Sequence, residues 1–199
     1  MLWYTVIEDL NPHKHSQNSP ENSTDRQWVE EVLSGRCESF RSIVLRYEKR
    51  LRHFCRVRLP SDEVEDLMQD IFLKTYRNLH SFHSDGCFAT WFFTIAFHTV
   101  ASKKLKFKRE LEKLGRMMIF FKDKTGINEG ERNLEAEALR KAVSKLSQGN
   151  REVVELFYFA ELEIPQICKV LSLSSSTVKT RLFRARKDLR IFLDPGNLA

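Results

Sequence analysis

The chain has 199 residues, 42% of them apolar, with only 7 glycines and 5 prolines. The apolar share supports compact cores, and the shortage of turn residues argues against an all-β fold. The net charge of +6 points to a polyanionic partner only where it clusters, as it does here.

Met1 to Leu10 is partly apolar but too short to span a bilayer, carries Glu8 and Asp9, and lacks the basic start of a signal peptide. No export signal and no membrane insertion are predicted. The four cysteines, Cys37, Cys55, Cys87 and Cys168, form no CxxC pair and read as reduced thiols of a cytoplasmic protein. Asn11 to Asp25 is polar with two prolines, so residues 1–25 read as a disordered leader.

Trp28, Val29, Val32 and Leu33 then share a helical face, and Gly35 supplies a stop. Phe40, Ile43, Val44, Tyr47, Leu51, Phe54 and Cys55 recur at steps of three and four, predicting an amphipathic helix that ends at Pro60. Asp62 opens another helix with Glu65 as its capping-box partner. Its apolar stripe is Val64, Leu67, Met68, Ile71, Phe72, Thr75 and Leu79. Between Ser61 and Leu73 stand five acids, Asp62, Glu63, Glu65, Asp66 and Asp70, and no base. A basic nucleic-acid binder does not turn such a face to DNA, so it is solvated or meets a protein. Glu63, Asp66 and Asp70 share a face, but catalytic Mg²⁺ sites usually gather carboxylates from several elements.

A loop with Asp85 and Gly86 precedes a helix running from Phe88 to roughly Lys108. Its first part is dense in aromatics, and Lys103, Lys104, Lys106, Lys108 and Arg109 follow within seven residues. Aromatic faces beside a basic run suit single-stranded nucleic acid, with base stacking worth about 1–3 kcal/mol each. Phe88, Phe92 and Ile95 read as core, and Trp91 is open to either role. His80, His83 and Cys87 have loose metal-ligand spacing without an evident fourth ligand, and no cofactor motif is present.

Glu110 to Asn133 reads as a connector broken by Gly115, Gly126 and Gly130, with an apolar run from Met117 to Phe121 that packs against a flanking unit. A second helical set begins at Leu134. Leu139, Ala142, Val143 and Leu146 form a stripe closed by Gly149, and Asn150 caps a helix carrying Val153, Val154 and Phe157. Pro165 suits the first turn of a third helix. A fourth helix runs from about Ser175 to Leu193, and 194–199 is a tail. Glu163 to Arg190 thus forms a helix-turn-helix. Val178, Leu182, Ala185, Leu189 and Phe192 make its inward seam. Ser176, Thr180, Phe183 and Lys187 point the other way, flanked by Lys179, Arg184 and Arg190. The helix N-terminus nominates Ser175, Ser176, Lys179 and Thr180 for base edges, and Arg181, Arg184 and Arg186 for phosphates.

Three stretches in order, Asp66 to Tyr76, Phe88 to Ala96 and Thr177 to Arg186, resemble the extracytoplasmic-function (ECF) sigma factors of the sigma-70 family. The resemblance implies an all-α fold of two small helical domains. Residues 26–109 would be a four-helix region 2 bundle for core polymerase binding, −10 recognition and melting. Residues 134–193 would be a helix-turn-helix region 4 for the −35 element, joined by a flexible linker, 110–133. It assigns Asp66, Gln69, Asp70 and Lys74 to polymerase, whose β′ clamp and β flap are the expected contacts. It assigns His83, Trp91, Lys103, Lys104, Lys106, Lys108 and Arg109 to −10 DNA, and Ser175, Ser176, Thr177, Lys179, Thr180, Arg181 and Arg184 to −35 DNA. The loop from His80 to Cys87 would receive an extruded base. An anti-sigma factor is a further candidate partner, and the implied role is non-enzymatic. The 24-residue connector extends to about 80 Å at about 3.3 Å per residue, enough to span two promoter elements about two DNA turns, near 70 Å, apart. The family usually has glycine where Ser172 stands, glutamate at Pro165, and Asn-like and Asp-like residues at His98 and Ser102. The rival readings are a stand-alone helix-turn-helix regulator and a metal-dependent nucleic-acid enzyme built on Glu63, Asp66 and Asp70.

Overall fold

In the computed structural model, which describes residues 20–83, 86–115 and 134–193, the first helix begins inside the expected leader. Helix α1 is Pro20–Leu33, and Asn22 and Asp25 are buried. The Asn22 side-chain oxygen accepts the backbone N–H of Phe88 at 3.0 Å. Asp25 accepts from the Tyr47 hydroxyl at 2.6 Å and from Arg46 at 2.7 Å. Arg26 donates to the Gly86 carbonyl at 3.1 Å. The leader boundary at 25 is therefore corrected: residues 20–25 belong to the bundle. Their polar composition serves buried donors on two other helices, a use that composition alone does not distinguish from disorder. Gly35, at φ 100°, turns the chain into the next helix.

Helices α2 (Ser39–Arg56), α3 (Val64–Arg77) and α4 (Phe88–Gly115) complete this set. Tyr47, Phe54, Phe88, Phe92 and Phe93 are its largest fully buried side chains. Tyr47 meets Phe92 at 4.9 Å between ring centres, and Phe92 meets Phe93 edge to face at 5.2 Å. Burying such a ring contributes about 1.5–3 kcal/mol, and each aromatic pair about 0.5–1.5 kcal/mol more. Ile95, expected in the core, is only half-buried, because Phe93 and Ala96 take the inward positions. The expected capping box at Asp62 and Glu65 is absent. A single 3₁₀ turn, Ser61–Glu63, leads into α3, and Glu65 pairs with Arg52 instead. Helix α4 continues to Gly115, so residues 110–115 are helical and not connector. The run from Met117 to Phe121 lies outside the described residues.

The second set comprises α5 (Leu134–Lys145), α6 (Gln148–Val154), α7 (Ile164–Leu171) and α8 (Ser175–Phe192). Ser147, not Asn150, occupies the N-cap of α6, and Gly149 lies within its first turn, where the Arg181 guanidinium covers it. Helix α6 passes into one wide turn, Glu155–Phe159, closed by the Ala160 N–H to the Glu155 carbonyl at 3.0 Å. Val178, Leu182, Ala185 and Leu189 are buried as predicted, and α8 packs against α6 and α7. Among the described residues there is no strand.

The two sets pack on one another. Helix α4 lies against α7, and α2 against the wide turn. The Arg58 guanidinium sits between the Phe54 and Phe97 rings, 4.4 and 4.7 Å from their centres. From there it donates to the Glu155 carboxylate, 97 residues away, at 2.6 Å. Their side chains are 4% and 2% exposed. Arg50 reaches the Ala160 carbonyl at 3.1 Å, and Gln166 donates to the Cys87 sulfur at 3.0 Å.

Candidate nucleic-acid interface

The helix-turn-helix is built by local chemistry. Glu163 and Gln166 form a reciprocal capping box at the start of α7, with Pro165 in the first turn. Ser172 ends α7 in the left-handed region, φ 53°, ψ 45°, a conformation that costs a non-glycine residue about 1–2 kcal/mol. Ser174 caps α8, its hydroxyl accepting the Thr177 N–H at 3.2 Å. These turns aim the first turn of α8 outward.

Ser175, Ser176, Lys179, Thr180 and Arg184 are exposed, and Thr177 and Arg181 are half-buried. The Thr177 hydroxyl lies 2.8 Å from that of Ser174, and Thr180 bonds back to the Ser176 carbonyl at 2.9 Å. Phe183 is 71% exposed in the middle of this face. Arg186, expected to reach phosphate, donates instead to the Tyr158 hydroxyl at 2.8 Å. A row of cations and hydroxyls around one exposed ring can reach base edges and phosphates in a groove.

The −10 candidates are less uniform. His83 and Lys106 are exposed. Trp91 is half-buried, 5.6 Å from the Phe82 ring and 5.5 Å from that of Phe88. Lys103 pairs with Glu63 at 3.0 Å. Lys104 faces the second helical set, where burial lowers its pKa against the pull of Glu155. The side chains of Lys108 and Arg109 lie outside the described residues. Cys87 is buried, and among the described residues no three His, Cys, Asp or Glu side chains converge as a metal site requires.

On α3, Glu65, Asp66, Gln69 and Asp70 all face solvent, as does Asp62 in the turn before it. Asp70 pairs with Lys74 one turn on, at 2.8 Å, and Asp66 and Gln69 stand beside that pair on the exposed face. The acidic and basic faces thus lie on different helices of one body.

The residues that sequence reasoning missed are Arg58 and Glu155. Burial raises the Glu155 pKa despite the opposing attraction of Arg58 and Lys104. The pair is close, yet desolvation outweighs its Coulombic gain, as it often does for ions removed from water. One signal was present: Glu155 is the single acid in Val153-Val-Glu-Leu-Phe157, an apolar run in which a carboxylate needs a partner.

Sigma-70 region 2 matches residues 43–109, and Sigma-70 region 4 matches residues 136–189. The ECF RNA polymerase sigma-E factor of Escherichia coli is 28% identical over 177 residues, covering 84% of this chain and 93% of that protein. The RNA polymerase sigma-H factor of Pseudomonas aeruginosa is 29% identical over 183 residues, covering 86% and 94%. Among solved structures, CnrH in complex with the cytosolic domain of CnrY aligns with a TM-score of 0.67 at 27% identity, over 86% of this chain and 97% of that one. The sigma factor RpoE in complex with the anti-sigma factor NepR from Bartonella quintana aligns with a TM-score of 0.67 at 25% identity, over 79% and 98%. With both sigma-70 regions present in order, and relatives matched along nearly their whole length, the chain belongs to the sigma-70 family, as an ECF sigma factor.

Proposed function

We infer that the chain is a bacterial transcription initiation factor that binds core RNA polymerase, directs it to particular promoters and helps open the duplex, without catalysing a reaction itself. The observation that carries this is the pair of opposed faces. One is an acidic helix, α3, with Asp66, Gln69 and Asp70 exposed. The other is a capped recognition helix, α8, with Lys179, Thr180 and Arg184 exposed. The first meets the β′ clamp of the polymerase and the second the −35 element. Residues 43–109 take the core-binding and −10 roles, with Trp91 and Lys106 toward the melted strand, and residues 136–189 take the −35 role and meet the β flap. An anti-sigma factor is a fitting partner, since the structurally similar sigma factor RpoE is bound to one, NepR. The protein acts in the cytoplasm, where promoters are, and no helix among the described residues is long and apolar enough to cross a membrane. Gel filtration with purified core polymerase tests this. Co-elution of wild type, weakened by the double reversal Asp66→Lys and Asp70→Lys, is expected. A chain that elutes alone, or a reversal without effect, overturns the assignment.

A further inference from the structure

We propose that Asn22 and Arg26 of α1 are positioning residues for −10 reading: they fix the backbone at Phe88 and Gly86, and so set where Trp91 and His83 stand when a DNA strand is captured. The inference rests on the functional reading above, in which residues 43–109 take the −10 role with Trp91 toward the melted strand.

Helix α1 lies wholly before residues 43–109, which match sigma-70 region 2, so that match gives it no part in promoter reading. Two of its polar side chains nevertheless converge on one short stretch of backbone. Nη2 of Arg26 donates to the Gly86 carbonyl at 3.1 Å, 60 positions away. This is a charge-assisted bond, stronger than one between neutral groups. The Gly86 N–H in turn donates to the His83 carbonyl at 2.9 Å. A methyl group at Gly86 would lie 3.2 Å from that same carbonyl oxygen, tighter than ordinary van der Waals contact, so the turn has little room to shift. Gly86 is thus held from both sides, and the exposed His83 is tied to α1 through it.

The second route runs through α4. The Phe88 N–H is one of the first donors of that helix, which find no carbonyl within their own helix. The Asn22 side-chain oxygen accepts it at 3.0 Å, and Asn22 is 3% exposed. A cap supplied by a different helix fixes where α4 starts, not only that it starts. Trp91 follows three residues later, its N–H donating to the Cys87 carbonyl at 3.2 Å. Its ring lies 5.5 Å from that of Phe88 and 5.6 Å from that of Phe82. A shift in the first turn of α4 therefore carries Trp91 with it. Tyr47, bonded to Asp25 of α1, meets the Phe88 ring edge to face at 5.5 Å, so α1 braces that ring as well as its backbone. A site held ready in this way loses less entropy on binding than one that must order at that moment.

The test uses the full chain with core polymerase on a promoter fragment recovered by run-off transcription. Permanganate reactivity of unpaired thymines reads opening, and fluorescence anisotropy reads the affinity for core enzyme. Far-UV circular dichroism reads helicity, and hydrogen exchange reads the peptides spanning Gly86 and Phe88. Arg26→Ala is expected to lower opening by about tenfold, the low end of what a charged hydrogen bond holds, with core affinity unchanged. Asn22→Ala acts in the same direction, and Arg26→Lys restores much of the loss. In a His83→Ala background the loss from Arg26→Ala shrinks, since both act on one route; a full tenfold loss there overturns the route through His83. Variants that stay helical and open the promoter as wild type does overturn the assignment. So does a loss of opening matched by an equal loss of core affinity, which a merely structural role produces. Should Arg26→Ala lose helicity, Arg26→Gln takes its place with the same readouts. If wild type opens no promoter, the functional reading fails on its own. Faster exchange at Gly86 and Phe88 in the variants then still supports the hold by α1, and unchanged exchange overturns it.

Discussion

Replacing Asp25 by alanine tests the link between α1 and the bundle. Asp25 is 2% exposed and Tyr47 1%. Removing the carboxylate leaves the buried Tyr47 hydroxyl without its acceptor, a loss of about 1–3 kcal/mol. It also takes away the anion that Arg46 grips at 2.7 Å, a charged hydrogen bond worth about 1.5–3 kcal/mol. Because Arg46 keeps partial access to water, the combined cost is about 2–4 kcal/mol, a large part of a typical total stability of about 5–15 kcal/mol. Tyr47→Phe alone removes only the hydroxyl and costs about 1–2 kcal/mol. Since the two residues share one bond, the double variant falls short of the sum by about 1 kcal/mol. Urea unfolding followed by circular dichroism and by tryptophan emission measures these differences. Trp28 is a local reporter, since the Arg46 guanidinium lies 4.1 Å from its ring centre. An Asp25→Ala change within about 0.5 kcal/mol of wild type would show that α1 is not docked as described.

Ser172→Gly relieves the left-handed φ of 53° and stabilises the chain by about 1 kcal/mol, seen as a rise of several degrees in Tm; an unchanged or lower Tm contradicts it. Burial and then Asp25 raise the Tyr47 pKa well above its usual value of 10. The stability due to the neutral phenol is therefore intact below about pH 10 and is lost as pH climbs through the higher folded value. Tyr47→Phe should flatten this alkaline loss, and equal slopes for both proteins would refute the cause. Arg184→Ala, as a phosphate contact, should weaken binding to all −35 sequences alike and lower the salt slope by about one. Lys179→Ala, as a base contact, should cost about 1–3 kcal/mol on the cognate element and relax its sequence preference. Anisotropy titrations across salt concentrations separate the two, and identical behaviour contradicts the assignment.

The inward seam of α8 was legible because Val178, Leu182, Ala185 and Leu189 repeat at helical spacing with no competing apolar face. The turn before it was legible from Pro165 and the serine cap. The acidic α3 surface was legible because five acids with no base among them cannot all be buried. The start of α1 was not, since Asn22 and Asp25 look like leader residues until their partners Phe88 and Tyr47 are placed in space. The packing of the two sets escaped for the same reason. Arg58 and Glu155 stand 97 positions apart, and no local period links them. Lys103 and Lys104 read as free cations in a basic run, yet Glu63 takes one and the second helical set covers the other.

The most direct measurement is run-off transcription with purified bacterial core polymerase on a library of genomic fragments, with and without this chain. Discrete transcripts that appear only when the chain is added, from fragments sharing two spaced elements, are the predicted result. Core enzyme that gains no start sites, while the chain alone binds DNA tightly and specifically, would contradict the account.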